Sequence, residues 1–242
     1  MKSFHYDIVD STNTIAKQLL DEYNEVIVTA DKQTSGRGRN GHTWVSGDAT
    51  DVIFSYAINI QPGLKVIPVV YQACAAIAVQ AFLFEILPNT AKIALKYPND
   101  VYIEYHEKSG KISGSLIEVE YMGKDIRSIT VGIGININSN SFSLASQSHS
   151  MTVSDVLMRK MDLDKLFELF IKHFLSCLRQ NPEDIFSRWV SELRIIGKSI
   201  YHVQSGKYFT VQSINDDGSI VCSDGTEQIT LFSGDSFLYN LF

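Results

Sequence analysis

The segment Gly36-Arg37-Gly38-Arg39-Asn40-Gly41-His42-Thr43-Trp44 sets glycines between two arginines and ends in a tryptophan. Bare backbone lets a ligand come close, and guanidinium groups grip carboxylate or phosphate oxygens two at a time. The run contains G-x-G-x-x-G directly after a candidate strand, which is the spacing of a dinucleotide fingerprint. Such a fingerprint opens a helix and has small spacer residues. Here the chain continues into Trp44-Val45-Ser46-Gly47-Asp48 without helical period and has arginine at two spacer positions, so the dinucleotide reading is set aside. Lys96-Tyr97-Pro98-Asn99-Asp100 places charged and amide groups at a strand end, where proline stops the ladder. Gly132-Ile133-Gly134-Ile135-Asn136 puts two glycines inside a strand, where something presses on the backbone. Together the three segments describe a ligand cradle.

The elements that must hold this cradle are read from hydrophobic period. Ser11 or Thr12 caps a first helix carrying Ile15, Leu19 and Leu20 on one face, and Val26 to Ala30 reads as a buried strand. Asp31 to Asp51, rich in glycine, reads as a mobile loop before the strand Val52 to Ile60. A core helix follows around Ile67–Leu87, then strands near Ile93–Tyr97, Val101–Tyr105, Ile112–Tyr121 and Ile126–Ile137, with a hairpin at Glu107-Lys108-Ser109-Gly110. From Ser154 to Leu193 the pattern is helical, and Pro182-Glu183-Asp184 suits a first helical turn. Beyond Gly197 come short strands separated by turns. The expected architecture is α+β, a mixed sheet flanked by helices over residues 1–193, with a small SH3-like barrel over 194–242.

Composition narrows the function classes. The chain has 242 residues, 45% of them hydrophobic, enough for a packed core. Its 21 Lys+Arg against 27 Asp+Glu give a net charge of −6, which argues against coating nucleic acid or an anionic membrane, so any polyanion site must be local. Cys74, Cys177 and Cys222 are far apart and make neither a disulfide framework nor a zinc clip, and no signal region opens the chain, so a reducing cytoplasm is expected.

Asp10-Ser11-Thr12-Asn13, Ser35-Gly36-Arg37-Gly38-Arg39 before Trp44, Lys96-Tyr97-Pro98-Asn99-Asp100, Lys111-Ile112-Ser113-Gly114-Ser115-Leu116-Ile117-Glu118 and Gly132-Ile133-Gly134-Ile135-Asn136 stand in the order and spacing of biotin protein ligases. The chain resembles the biotin–[acetyl-CoA-carboxylase] ligases among them, strongly from Phe4 to about Asn138 and weakly beyond. The resemblance implies an enzyme that condenses biotin with ATP, as its Mg2+ complex, to biotinyl-5′-AMP, and then passes the biotinyl group to one lysine of a biotin carboxyl carrier protein domain. It implies that Lys111 bridges the biotin carboxylate and the α-phosphate, that Arg37 closes over the acid, and that Arg39 reaches the phosphates; these are the catalytic candidates. It assigns the biotin ring to Ser11, Thr12, Asn13 and Gln33, with Gly36, Gly38, Gly114 and Leu116 in the same pocket. It places Trp44, Lys96, Asn99 and Asn136 at the nucleotide and Asp100 beside the acceptor lysine, and leaves the metal ligands unknown. On residues alone, Ser11-Thr12-Asn13 is also an ordinary helix cap.

Asn40 and His42 stand where the family loop usually carries further basic residues, and Tyr97 where tryptophan is common. The first ligase motif begins at Asp10, so a helix-turn-helix DNA reader is not expected, and neither nucleic acid nor membrane is an expected partner. A homodimer is compatible with the resemblance, and no motif decides it. The rival readings are attachment of lipoate or octanoate by an enzyme of the same fold, and a non-catalytic biotin-binding protein.

Overall fold

The computed structural model describes residues 1–46, 49–139 and 150–242; Gly47 and Asp48 of the expected loop and His149 lie outside them. A seven-stranded sheet is built from β1 (Lys2–Val9), β2 (Glu25–Gln33), β3 (Val52–Asn59), β4 (Lys92–Lys96), β5 (Asp100–Tyr105), β6 (Lys108–Met122) and β7 (Asp125–Ile135) in the order β1-β2-β3-β7-β6-β5-β4. Strands β1 and β2 run parallel, joined through helix α1 (Thr12–Leu19), and every other pair is antiparallel. This is the expected mixed sheet.

Strand alternation sorts the side chains onto two faces. Val26, Val28 and Ala57 pack with Ala16 of α1 and Leu20 at its C-terminal cap. Ile27, Phe54, Tyr56, Ile129, Val131, Ile133 and Ile135 point the other way, into a large core filled by α2 (Pro68–Ile86), α3 (Val153–Leu157), α4 (Leu163–Leu178) and α5 (Pro182–Leu193). Helix α2 is long and apolar enough to cross a membrane, but its buried face is covered by the sheet and by α4 and α5. Phe54 meets Phe170 and Phe174 edge-on, at ring separations of 5.3 and 5.0 Å.

Several expectations need correction. The strand β1 gives no clean sequence signal because it is an edge strand whose alternation is half exposed. The glycine-rich stretch is less irregular than expected: β2 continues to Gln33, a bridge joins Arg37 to Thr43, and a single 3-10 turn covers Arg39–Gly41 with Asn40 in the left-handed region (φ 50°). The expected hairpin turn shifts to His106-Glu107, since Tyr105 already pairs with Lys108.

After α5 come β8 (Ser199–His202), β9 (Lys207–Ile214), β10 (Ile220–Ser223), β11 (Gln228–Leu231) and β12 (Phe237–Leu238), an antiparallel sheet in the order β11-β10-β9-β8-β12. This is the small C-terminal β-unit expected; among the described residues its pairing is that of a five-stranded antiparallel sheet with β11 and β12 at its edges. Its inward residues Ile200, Phe209, Val211 and Phe237 join the same buried cluster as Trp189 and Phe54.

Candidate active site

Register fixes the site. Cross-strand partners share a face, and on the α1 face three rows run across the middle of the sheet: Ile53–Gly134–Gly114–Asp100, Ser55–Gly132–Leu116 and Ala57–Thr130–Glu118. The two bare strand positions of β7 form the floor. A Cβ at Gly132 would collide with the Asn13 amide, its carbon lying 3.0 Å away, and a Cβ at Gly134 would fall inside the Trp44 indole, 2.6 Å from Nε1. Above this floor is a cavity of about 480 Å³.

Lys111 reaches the cavity because of a register shift. Asp100 pairs with Gly114 and Val101 with Ser113, but Tyr102 pairs with Lys111, leaving Ile112 as an extra residue. Plain alternation would send Ile112 to the cavity and Lys111 into the core; the bulge reverses them. Ile112 is fully buried in the core, and Lys111 Nζ lies 2.7 Å from Asp100 Oδ1 and 5.6 Å from the Trp44 ring centre. The Lys111–Asp100 contact is ionic, without the alignment of a hydrogen bond.

One end of the cavity is a polar network. Gln33 Oε1 accepts from the Thr12 backbone N–H at 2.8 Å and lies 3.1 Å from Thr12 Oγ1. Ser55 Oγ lies 2.7 Å from Thr12 Oγ1 and 2.6 Å from Asn13 Oδ1. Thus three oxygen–oxygen contacts share only the two hydroxyl protons of Thr12 and Ser55. With the Asn13 oxygen facing Ser55, one contact lacks a proton, so this end of the site has an acceptor to spare and can receive a ligand that brings N–H donors. Ser11, at the helix cap position, makes no side-chain capping bond, which leaves its buried hydroxyl to the cavity.

The other end is cationic. Arg37, Arg39, Lys96 and Lys111 line the cavity against the carboxylates of Asp100 and Asp235, in a chain whose net charge is −6. Lys96 Nζ sits 5.0 Å above the Tyr102 ring. Arg39 reaches Asn99 Oδ1 at 3.4 Å and the Phe232 carbonyl at 3.5 Å, and Asn40 Nδ2 donates to Asp235 Oδ2 at 2.5 Å, so the glycine loop touches the chain just after Leu231, ahead of Phe237, in the C-terminal unit. Asn99 is held by its Nδ2 donating to the Ser115 carbonyl at 2.6 Å, and the Ser115 hydroxyl accepts from Gln72 Nε2 at 2.6 Å. Burial pushes the Tyr97 phenol up to about 12, against the opposing charge of Arg39.

Of the sequence candidates, Ser11, Thr12, Asn13, Gln33, Arg37, Gly38, Arg39, Trp44, Lys96, Asn99, Asp100, Lys111, Gly114 and Leu116 all line the cavity. Gly36 does not; it lies beneath, where a Cβ would meet the Trp44 carbonyl and Gln33 Nε2 (2.8 Å). Asn136 does not either. Its buried amide donates to the carbonyls of Lys111 (3.4 Å) and Met151 (3.3 Å), tying down the chain that carries Lys111. Residues to which the sequence assigned no role are Ser55, Gln72 and, within the motif Lys111–Glu118, Ser115 and Glu118. Only the spacing of Glu118 after Lys111 was a signal.

A family model described as the biotin/lipoate A/B protein ligase family matches residues 6–136, more than half of the chain. The chain belongs to the biotin/lipoate A/B protein ligase family. A bifunctional ligase/repressor BirA of Bacillus subtilis (strain 168) is 26% identical over 217 residues, 87% of this chain and 62% of the relative, so the chain spans under two thirds of that protein. A biotin–[acetyl-CoA-carboxylase] ligase of Paracoccus denitrificans is 32% identical over 125 residues, 51% of this chain and 49% of the relative. Among solved structures, a biotin protein ligase from Aquifex aeolicus in complex with biotin and ATP superposes with a TM-score of 0.71 at 22% identity, covering 100% of this chain and 99% of that one. The family fold therefore extends over both sheets of the chain.

Proposed function

We propose that the chain is an ATP-dependent biotin ligase that activates biotin as biotinyl-5′-AMP and transfers it to a lysine of a biotin carboxyl carrier domain. The observation that carries this reading is one cavity with a proton-poor, acceptor-rich end at Thr12, Asn13, Gln33 and Ser55 and a cationic end at Arg37, Arg39, Lys96 and Lys111. A cyclic urea brings two N–H donors and a carbonyl that the Ser11 hydroxyl can serve. Lipoate and octanoate have no N–H and would leave the network short of its proton. A protein that only bound biotin would need none of the four cations beyond the one facing the acid.

The chemistry follows from the charges. The biotin carboxylate attacks the α-phosphorus of ATP, the bond to the β-phosphate oxygen breaks, and pyrophosphate leaves. Lys111 stabilises both anions at the reacting centre, and Arg37 and Arg39 hold them in line. Lys111 must leave Asp100 to do so, which frees the Asp100 carboxylate to orient the acceptor ammonium and take its proton when the amine attacks the mixed anhydride and AMP departs. Trp44, seated against Gly134, offers its ring to the adenine. ATP enters as its Mg2+ complex, the ion held mainly by phosphate oxygens. Among the described residues the one cluster of three side chains spaced to ligate a metal, His5, Asp7 and Asp31, does not line the cavity. Buried free thiols at Cys74, Cys177 and Cys222 suit a reducing cytoplasm as its place of work.

Pyrophosphate release with biotin, lipoate or octanoate as the acid tests the reading. Release with biotin alone is expected. Release only with lipoate or octanoate, or none with any acid, overturns it.

A further inference from the structure

Glu118 belongs to no step of the chemistry above, yet it is the most heavily partnered carboxylate near the cavity. Its Oε2 accepts from Asn13 Nδ2 at 2.6 Å and lies 3.6 Å from Arg37 Nη2, while Oε1 accepts from Lys17 Nζ at 3.0 Å. Burial pushes its pKa up, but the hydrogen bonds from Asn13 and Lys17 and the charges of Lys17 and Arg37 outweigh this and leave it below the ordinary carboxylate range. Glu118 is therefore ionised at neutral pH.

An ionised carboxylate only accepts hydrogen bonds. The group that Asn13 turns toward Glu118 must be its NH2, and Oδ1 must face the other way, toward Ser55 at 2.6 Å. Gly132 leaves room for that oxygen, since a Cβ there would collide with it. The proton count of the network depends on this orientation. Were the amide reversed, Nδ2 would donate to Ser55, the missing proton would be supplied from within, and the ring end would have no acceptor to spare.

We propose that Glu118 is a positioning residue that sets the donor–acceptor polarity of the ring-binding end by fixing the Asn13 amide, so that the site selects an acid whose distal end carries N–H donors. The proposal rests on the biotin reading and deepens it. Binding energy for the ring originates one residue behind the contact surface, in a charge held by Lys17 and Arg37.

The test is an exchange of chemical roles. Glu118→Gln keeps the shape but gives Asn13 a partner that can turn either way, and biotin affinity measured by calorimetry should fall about tenfold or more, the scale of one misdirected buried hydrogen bond. Asn13→Asp sets two carboxylates 2.6 Å apart with no proton between them and should weaken binding further. The double variant Asn13→Asp/Glu118→Gln restores the hydrogen-bond roles, though not the Arg37 ion pair: the amide introduced in place of Glu118 donates its NH2 to the carboxylate introduced in place of Asn13, its carbonyl accepts from Lys17, and an oxygen again faces Ser55. Its affinity should return to within about threefold of the wild type. Biotin binding to Glu118→Gln within about twofold of wild type, or a double variant no tighter than Asn13→Asp, overturns the proposal. If Glu118→Gln does not fold, comparing Asn13→Asp with the double variant still decides. Failure of the wild-type chain to bind biotin at all would overturn the functional reading, a separate outcome.

Discussion

Gly134→Ala separates what the site needs from what the fold needs. Gly134 is paired on both sides, with Ile53 of β3 and Gly114 of β6, so its backbone cannot retreat. A methyl group there enters the Trp44 ring, and the ring must yield. Trp44 sits on a loop held by few backbone bonds, among them its own N–H to Gly36 at 2.9 Å and the Gly38 N–H to His42 at 2.7 Å, so it can lift away. For stability the two effects nearly cancel. Alanine in place of a strand glycine gains about 0.5–1 kcal/mol from the unfolded chain. Losing the indole contacts costs a similar amount, offset by freeing Nε1, which is buried without an acceptor among the described residues. The melting temperature should move by no more than about 3 °C for a chain of this size. The nucleotide loses its platform: an aromatic face under a base is worth about 1–3 kcal/mol, so KM for ATP should rise about five- to 150-fold in a pyrophosphate-release assay. Trp44→Ala should show the same rise, and the double variant no more than either alone. A folded Gly134→Ala protein with wild-type KM for ATP would refute the role given to Trp44 and its seat on Gly134.

Lys111→Ala should slow pyrophosphate release by about a hundredfold or more, the cost of one preorganised charge at the reacting phosphate, while the chain stays folded by circular dichroism. Lowering the pH should remove the stability that Glu118 contributes. Its folded pKa lies below the ordinary 4.5, so the contribution is complete above 4.5 and is lost as pH falls through the folded value; denaturant melts of wild type and Glu118→Gln should converge at acid pH. Amide exchange across residues 36–46 should slow on binding biotin and ATP, since the loop rests on Asp235 and Phe232 by only a few polar contacts; equal exchange with and without ligand would contradict closure.

Most of the site was legible because its chemistry lies in short runs: the arginines between glycines, Lys96 to Asp100, and the paired glycines of β7 each advertise themselves locally. What was not legible depends on register. Ser55 is an unremarked serine in an apolar strand until β3 pairs it with Gly132 and brings it to Asn13. That Lys111 faces the cavity at all depends on the extra residue Ile112, which no period reveals, because a bulge is a relation between two strands. Asn136 stands apart for the converse reason. Its motif places it beside the site, but its amide is already bound to the carbonyls of Lys111 and Met151. The hairpins of the C-terminal sheet were legible from turn spacing, which does not report which edges meet.

The back of the Lys96–Asp100 turn has a consequence for how this chain can be divided. Tyr97 stands between Trp189 and Phe237 at ring separations of 6.4 and 5.8 Å, donates from its hydroxyl to the Gly218 carbonyl at 2.8 Å, and gives its backbone N–H to the Tyr239 hydroxyl at 3.1 Å. Gly234 is bare where a Cβ would press on Pro98, 2.9 Å away. The turn that offers Asn99 and Asp100 to the ligand is thus shaped from behind by residues of α5 and the C-terminal sheet, far later in the chain. A chain cut after Leu193 would not be a smaller enzyme but one half of a mould. The two pieces, expressed separately, are expected to be inert alone and to regain pyrophosphate release on mixing, as fragments of one core do. Swapping the last segment for a relative's would alter the catalytic turn itself, not merely the choice of partner.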